Sequence, residues 1–416
     1  MRMSDISHNK ILLLIGLISA VVLILAVVSH SLNLSFFIQL LFDAAQEFAR
    51  KGFITSDFMP VGYSGFLGSC MKVGGVDGIP ACQAFIYIGI LFAAFWFLEL
   101  RGVRGIALAL GILVISLHPM LLLNIWRIHD GNATILLLLG FLAASISYTR
   151  SRNTWSVLAL GIFAGLLITV RQNAILLLLP ALFLLWDSKQ ESREASTIKN
   201  DILGRVGMKY LGRAALFLVS ALVIMSAVNI TTKQTPFFFG QQGLYNFFSG
   251  TNEYASQYLR SDYSGENSLK EALTARGFPP AQTFNELLSF PSETYKQLAL
   301  DYIKSHPLEY VKLTALKFFT LFRPGYHMAQ NFTWNSLEGL KRFSKIVLAT
   351  PFFIWIFFVY KTRKNFFDRE NLFMFLVILL YCAPFFIANA DPRYRFPLDI
   401  IFIADSFCRA KKPLAA

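Results

Sequence analysis

Long apolar runs separated by short basic turns dominate this chain. Runs near 11–31, 83–100, 105–123, 132–148, 154–170, 173–186, 214–231, 343–360, 371–388 and 397–408 each read as an apolar helix. Several of them approach or exceed the roughly 18–20 residues a bilayer requires. Two segments break the pattern, at about 34–82 and 232–342. The expected organisation is a seven-span module over 1–231 with a first external loop at 34–82. An external segment over 232–342 and a three-span module over 343–416 follow. In SFFIQLLFDAAQEFARKGF, Phe37, Leu40, Leu41, Ala44 and Phe48 repeat at helical spacing. Gln39, Asp43, Gln46, Glu47 and Arg50 occupy the opposite face, which predicts a surface helix. In KQLALDYIKSHPLEYVKLTALKFFTLFRPGY, Pro307 divides two helices, because proline fits a first helical turn but not an interior. The second, 308–322, carries Lys312 and Lys317 and is expected to lie on the membrane rather than cross it. A crossing there would force Lys361, Arg363 and Lys364 to the outside.

Composition agrees with the pattern. The 416 residues are 55% hydrophobic and only 15% charged, with a mean hydropathy of +0.52. That leaves too little polar surface for a soluble chain of this length. The expected class is an all-α polytopic membrane protein of about ten transmembrane helices, with external juxtamembrane helices and one large external segment. The net charge of +13 then marks topology rather than a nucleic-acid footprint. With the N-terminus inside, Arg101 and Arg104, Arg150 and Arg152, Lys189 to Arg213, Lys361 to Lys364, and Arg409 to Lys412 all fall in cytoplasmic connections, as the positive-inside bias requires. The first span lacks a small-residue cleavage site and is expected to stay with the protein. The four cysteines show no metal spacing. Cys70 and Cys82 can share the external side, but two unpaired apolar thiols are the expectation.

The candidate chemistry gathers on the external side. Asp130 in WRIHDGNATILLLLGF sits at the mouth of the fourth predicted span, with Arg127 and His129 as near partners. It is either a helix-terminal charge or a functional acid. Arg171 interrupts GLLITVRQNAILLLLPAL between two apolar helices, where a cation wants a carboxylate or a ligand phosphate. Arg393 and Arg395 in ANADPRYRFPLDIIF reach the same edge, either as interfacial anchors or as a forked phosphate site. Asp43 and Asp57 complete the external acids.

In their order along the chain these features resemble the integral-membrane glycosyltransferases of the GT-C fold. The nearest likeness is to bacterial relatives of the protein O-mannosyltransferase and lipid A aminoarabinose transferase families. The motifs are FDAAQEFARKGF, FMPVGYSGFLG, RIHDGN, TVRQNAILLLLPAL, SHPLEYVKL and PRYRFPLDI, and they extend over nearly the whole chain. The resemblance implies a polyprenyl-phosphate sugar donor and transfer to a glycan, lipid or protein acceptor on the external face, with no nucleic-acid partner. It implies a bacterial inner membrane with the active site facing the periplasm or exterior, the lumen of an endoplasmic reticulum being the alternative setting. Asp43 matches the family's first-loop acid, the usual base, and Asp130 the second acidic position. Arg171, Arg393 and Arg395 match basic residues near the lipid phosphate. Two departures stand out. Ala44, Ala45 and Gln46 follow Asp43 where relatives carry an acidic pair or a tyrosine, which keeps Asp57 as an alternative base. Gln172 replaces a common proline. His129, Tyr63, Tyr245 and Tyr394 are candidate substrate contacts, and Asn246, Asn252, Glu253 and Trp334 candidate specificity positions.

The implied chemistry is physically coherent. A departing phosphomonoester is stabilised by fixed cations, and an acceptor hydroxyl needs a carboxylate to take its proton, worth about 10²–10⁴-fold. A single base predicts inversion. Nothing demands a cofactor, although two converging aspartates could hold Mg²⁺ or Mn²⁺ weakly. An O-antigen polymerase or ligase would share donor and compartment. A transporter or flippase would show paired halves and charges near the midplane, and here the halves differ. A non-catalytic membrane subunit is the last alternative.

Overall fold

Every regular element is helical in the computed structural model, which describes residues 8–28, 36–186, 202–260, 265–281, 283–323 and 338–410. The bundle begins with α1 (His8–Val28), α2 (Phe36–Lys51), α3 (Val61–Gly74) and α4 (Gly78–Leu100). It continues with α5 (Gly105–Ser116), α6 (Pro119–Leu123), α7 (Gly131–Ser151), α8 (Thr154–Val170), α9 (Leu178–Leu185) and α10 (Ile202–Lys233). Six helices follow: α11 (Gln242–Ser249), α12 (Ala255–Arg260), α13 (Gly265–Ala275), α14 (Phe284–Ser289), α15 (Ser292–Ser305) and α16 (Pro307–Phe322). The last three are α17 (Glu338–Lys361), α18 (Arg369–Ile387) and α19 (Phe396–Ala410).

Among the described residues, five helical stretches are long and apolar enough to cross a membrane: α1, α4, α7, Met208–Lys233 of α10, and α18. On α1, Leu13, Leu17, Val21 and Ile24 face outward, a surface that suits hydrocarbon and not water. The protein is an integral membrane protein by this measure. Gly105–Ser116, Thr154–Val170, Gln172–Leu185 and Thr350–Lys361 are shorter apolar helices. The run predicted as one helix over 105–123 stops at Ser116 and restarts at Pro119. Pro119 has no N–H to donate, so it begins a helix in place of continuing one; it stands at the first position of α6.

Contacts sort the helix termini to two ends of the bundle. At one end His8 meets Glu99, Arg101 pairs with Glu370 and Asp405, Arg409 donates to Thr362, and Arg369 donates to the Leu184 carbonyl. At the other, Arg171 meets Asp130, Lys233 meets Asp57, and Lys317 donates to the Ile387 carbonyl. The first end carries the basic turns. The second carries helices α11 to α16, whose own small core is built from Tyr245, Phe248, Leu269, Leu273, Leu287 and Tyr295.

Small residues bring two helices together. Gly161 and Gly165 of α8 lie so close to Phe217, Ser220 and Ala221 of α10 that a Cβ on either would overlap backbone atoms. This is the close approach that four-residue small-residue spacing permits in membranes. The predicted surface helix is α2, with Leu41, Ala44 and Phe48 buried and Asp43 and Arg50 exposed. Pro307 opens α16, as the sequence predicts. Lys317 of that helix is fully buried, not solvated. Cys70 and Cys82, expected as free thiols, form a disulfide with Cα atoms 6.3 Å apart. The turn between α3 and α4 folds the two helix ends back on each other, a proximity that spacing alone does not reveal.

Candidate functional site

At the end opposite the basic turns, a cavity of about 270 Å³ opens between α7, α8, α11, α18 and the 3₁₀ turn before α19. Its walls include Tyr63, Arg127, His129, Asp130, Arg171 and Tyr394. The loop ahead of α7 sets Asp130 here because Gly131 starts the helix and Asp130 takes its N-cap position. Arg171 stands where α8 ends, its N–H still bonded to the Leu167 carbonyl. The 3₁₀ turn Gln172–Leu177 then leads back into the bundle.

The two charges form a fork. Arg171 Nε donates to Asp130 Oδ2 at 2.7 Å and Nη2 donates to Oδ1 at 3.0 Å. Its Nη1 donates to the Tyr381 hydroxyl at 3.1 Å. A bidentate guanidinium–carboxylate pair is among the strongest side-chain contacts available. Burial by itself would raise the Asp130 carboxyl, but the Arg171 guanidinium and then His129 reverse this and hold it below the usual carboxylate range. His129 Nδ1 accepts the Gly131 N–H at 2.9 Å. The His129 N–H donates to the Tyr63 hydroxyl at 3.2 Å, which donates to Gln83 Oε1 at 3.0 Å. This chain fixes the acidic loop onto α3 and α4.

The opposite wall is aromatic. Tyr394 stacks on Phe385 with centroids 4.6 Å apart and planes 9° from parallel, and the Arg171 guanidinium lies 5.8 Å from the Tyr394 ring centre. Asn173 and Asn389 line the cavity, and the buried Asn173 Nδ2 and Asn389 Oδ1 have no hydrogen-bond partner among the described residues. Unsatisfied buried amides of this kind cost free energy unless water or a ligand fills their valence.

Of the residues singled out in the sequence, the cavity gathers Asp130, Arg171, His129, Tyr63 and Tyr394. Arg127 and Asn246 line it as well, whereas Asp43, Asp57, Arg395 and Tyr245 do not. Asp43 is exposed on α2 and accepts from Gln39 at 2.7 Å. Asp57 is 62% exposed at its side chain and pairs with Lys233 at 2.6 Å. Arg395 is fully buried away from the cavity: it donates to Asp399 Oδ1 at 3.0 Å and to the Arg323 carbonyl at 3.0 Å. This placement serves to join the start of α19 to the end of α16. The Arg393 side chain and Trp334 lie outside the described residues. Tyr245 is packed between Phe58 and Tyr295 in the small core of α11 to α16, whereas Asn246, one residue on, lines the cavity. Asp43 and Asp130 do not share the cavity wall, and among the described residues no three His, Cys, Asp or Glu side chains assemble for a metal.

Sequence reasoning missed Tyr381, Asn173 and Asn389. The signal was faint. Tyr381 is one hydroxyl within an apolar run, and Asn173 and Asn389 are single amides close to Arg171 and Asp391 at helix ends. No protein-family model, curated protein or solved structure matches the chain.

Proposed function

We propose that this protein is a glycosyltransferase that moves a sugar from a polyprenyl-phosphate donor to an acceptor hydroxyl at the cavity end of the bundle. The reading rests on one observation above others. A buried arginine is held in a fork on an aspartate inside a membrane-end cavity that also offers amide groups and an aromatic wall. Aromatic faces and amides suit a sugar ring, and a guanidinium suits a phosphate.

In this reading the donor phosphate replaces the Asp130 carboxylate on Arg171, an exchange of one forked oxyanion for another. Asp130, released from the fork, accepts the proton of the acceptor hydroxyl. The acceptor oxygen bonds to the anomeric carbon as the bond from that carbon to the phosphate oxygen breaks, and the polyprenyl phosphate leaves with the electron pair. One attacking oxygen and one base give inversion. The alternation of helices between the two ends supports about ten crossings. The basic turns opposite the cavity support a bacterial inner-membrane setting with the cavity facing the periplasm.

The test is transfer in proteoliposomes supplied with the polyprenyl-linked sugars extracted from the source cells, followed by mass spectrometry of the lipids. One donor is expected to convert to free polyprenyl phosphate. Asp130→Asn and Arg171→Gln are expected to slow this by on the order of 10²-fold or more, while Asp43→Asn stays within severalfold of the parent. Arg171→Lys keeps the charge but loses the fork, and should fall between. No donor consumption by the folded parent protein would end the reading. Full loss in Asp43→Asn with Asp130→Asn active would move the base to α2.

A further inference from the structure

Two amides in the wall of the Asp130 cavity have hydrogen bonds left to make. Asn173 stands two residues after Arg171, in the 3₁₀ turn Gln172–Leu177. Asn389 stands two residues past the end of α18, is 6% exposed, and lines the same cavity. Asn173 Nδ2 and Asn389 Oδ1 are both buried and have no hydrogen-bond partner among the described residues. A buried polar atom without a partner is disfavoured, and the cavity that both residues line is where a partner can enter.

The two atoms ask for different things. Asn173 Nδ2 is a donor and Asn389 Oδ1 an acceptor, and they belong to separate elements. A secondary amide supplies one acceptor and one donor, held in a plane and pointing in opposite directions. On a sugar that group is an acetamido substituent. Its position on the ring follows from Arg171. With the donor phosphate on that guanidinium, the ring carbon next to the anomeric centre is C2, so the amide nearest Arg171 in the chain meets the C2 substituent. The acetyl methyl needs apolar surface, and Val170, Pro384 and Phe385 line the cavity on the helices that carry the two amides.

We propose that the donor sugar carries an acetamido group at C2, its carbonyl accepting from Asn173 Nδ2 and its N–H donating to Asn389 Oδ1. The inference rests on the glycosyltransferase reading of this cavity and narrows its donor to the N-acetylated hexosamines. A hydroxyl at C2 is too short to reach both amides, and a site built for hydrogen bonds rejects a ligand that leaves one of them unpaired.

Four synthetic polyprenyl-phosphate sugars test this: N-acetylglucosamine against glucose, and N-acetylgalactosamine against galactose. Their affinities for the full chain in micelles are read from the rise in unfolding temperature with ligand concentration. Each acetamido sugar is expected to bind about tenfold or more tighter than its parent hexose. Asn173→Ala and Asn389→Ala should each bring that ratio to within about twofold, with hexose affinity close to that of the parent protein. A merely structural role would weaken all four ligands alike, which would overturn the assignment. Asn173 lies on a partly exposed turn, so its substitution carries the test if Asn389→Ala does not fold. Equal affinity within both sugar pairs would mean that water completes the two amides. That result would overturn the inference and leave the polyprenyl-phosphate donor standing. Binding of none of the four would remove the donor itself, and the inference with it.

Discussion

Asp130 and Arg171 show how far single residues could be read from the sequence. Each is a charge interrupting an apolar run, and such charges are kept only with partners or for function; the structure gives each the other as its partner. Arg395 looked the same in the sequence and is not. Its carboxylate, Asp399, stands four residues on, the spacing of a pair on one helix face, and both side chains are fully buried. That local pairing was legible in the sequence and outweighs a ligand role. Lys317 is fully buried within the helix expected to lie on the membrane, because the helix period alone does not say which face a neighbouring segment will cover. Its Nζ donates to the Ile387 carbonyl at 2.8 Å and to Thr251 Oγ1 at 3.4 Å. Burial pushes its amine down to about 7, against about 10.4 in an unfolded chain. Between those values the unfolded chain binds more protons than the folded one, so stability rises with pH from about 7 to about 10.4, and the full penalty is present below 7. Thermal unfolding in detergent at pH 7 and pH 9 should show the parent gaining stability relative to Lys317→Met. Parallel pH trends in the two proteins would mean that the amine is already solvated.

At the scale of elements, the apolar periods located the long helices and proline the start of α16, but the break at Pro119, helix α3 and the short helices α11 to α14 were not read from the sequence. What periodicity does not carry is how closely two helices pack or how a loop is pinned. Gly165 allows α8 to rest on the α10 backbone at Ala221, and Gly250 lets the turn after α11 reach the Ala388 carbonyl. These two glycines separate stability from function. Gly165→Val should force α8 and α10 apart, costing about 1–3 kcal/mol, seen as a lower unfolding temperature. Gly250→Ala pushes on residues 388–389, which line the cavity, and should impair transfer more than it lowers the unfolding temperature. The reverse ranking would show that the 388–389 turn does not shape the site. The Glu47 carboxylate pins a loop in a similar manner: it accepts from the Thr55 N–H at 2.9 Å and from the Thr55 hydroxyl at 2.6 Å. Although burial opposes ionisation, these bonds and Lys51 hold its carboxyl down at about 2, and no sequence pattern announced the contact.

For the whole molecule, the distribution of basic residues was the most informative feature of the sequence, because it depends on side chains at helix ends and not on their packing. The three C-terminal helices are fastened to the N-terminal ones at both ends of the bundle. Tyr381 of α18 meets Arg171 at the cavity end. At the basic end Asp405, fully buried, accepts from Arg101 at 3.3 Å, Arg409 at 2.6 Å and the Trp355 indole at 2.9 Å. Removing the charge of Asp405 would leave two buried guanidiniums without their shared carboxylate, so Asp405→Asn should cost about 3–5 kcal/mol and lower the unfolding temperature accordingly. The orientation of this doubly fastened bundle has its own test. The cysteines present make a quiet background, since Cys70 and Cys82 are paired and Cys382 and Cys408 are buried. Thr274 is exposed at the cavity end, on α13, and Lys364 is exposed at the basic end. In intact cells a membrane-impermeant maleimide should label Thr274→Cys, and Lys364→Cys only after the membrane is opened. The opposite pattern would put the Asp130 cavity on the cytoplasmic side, out of reach of any acceptor beyond the membrane, and the direction of transfer proposed for it would have to be reversed.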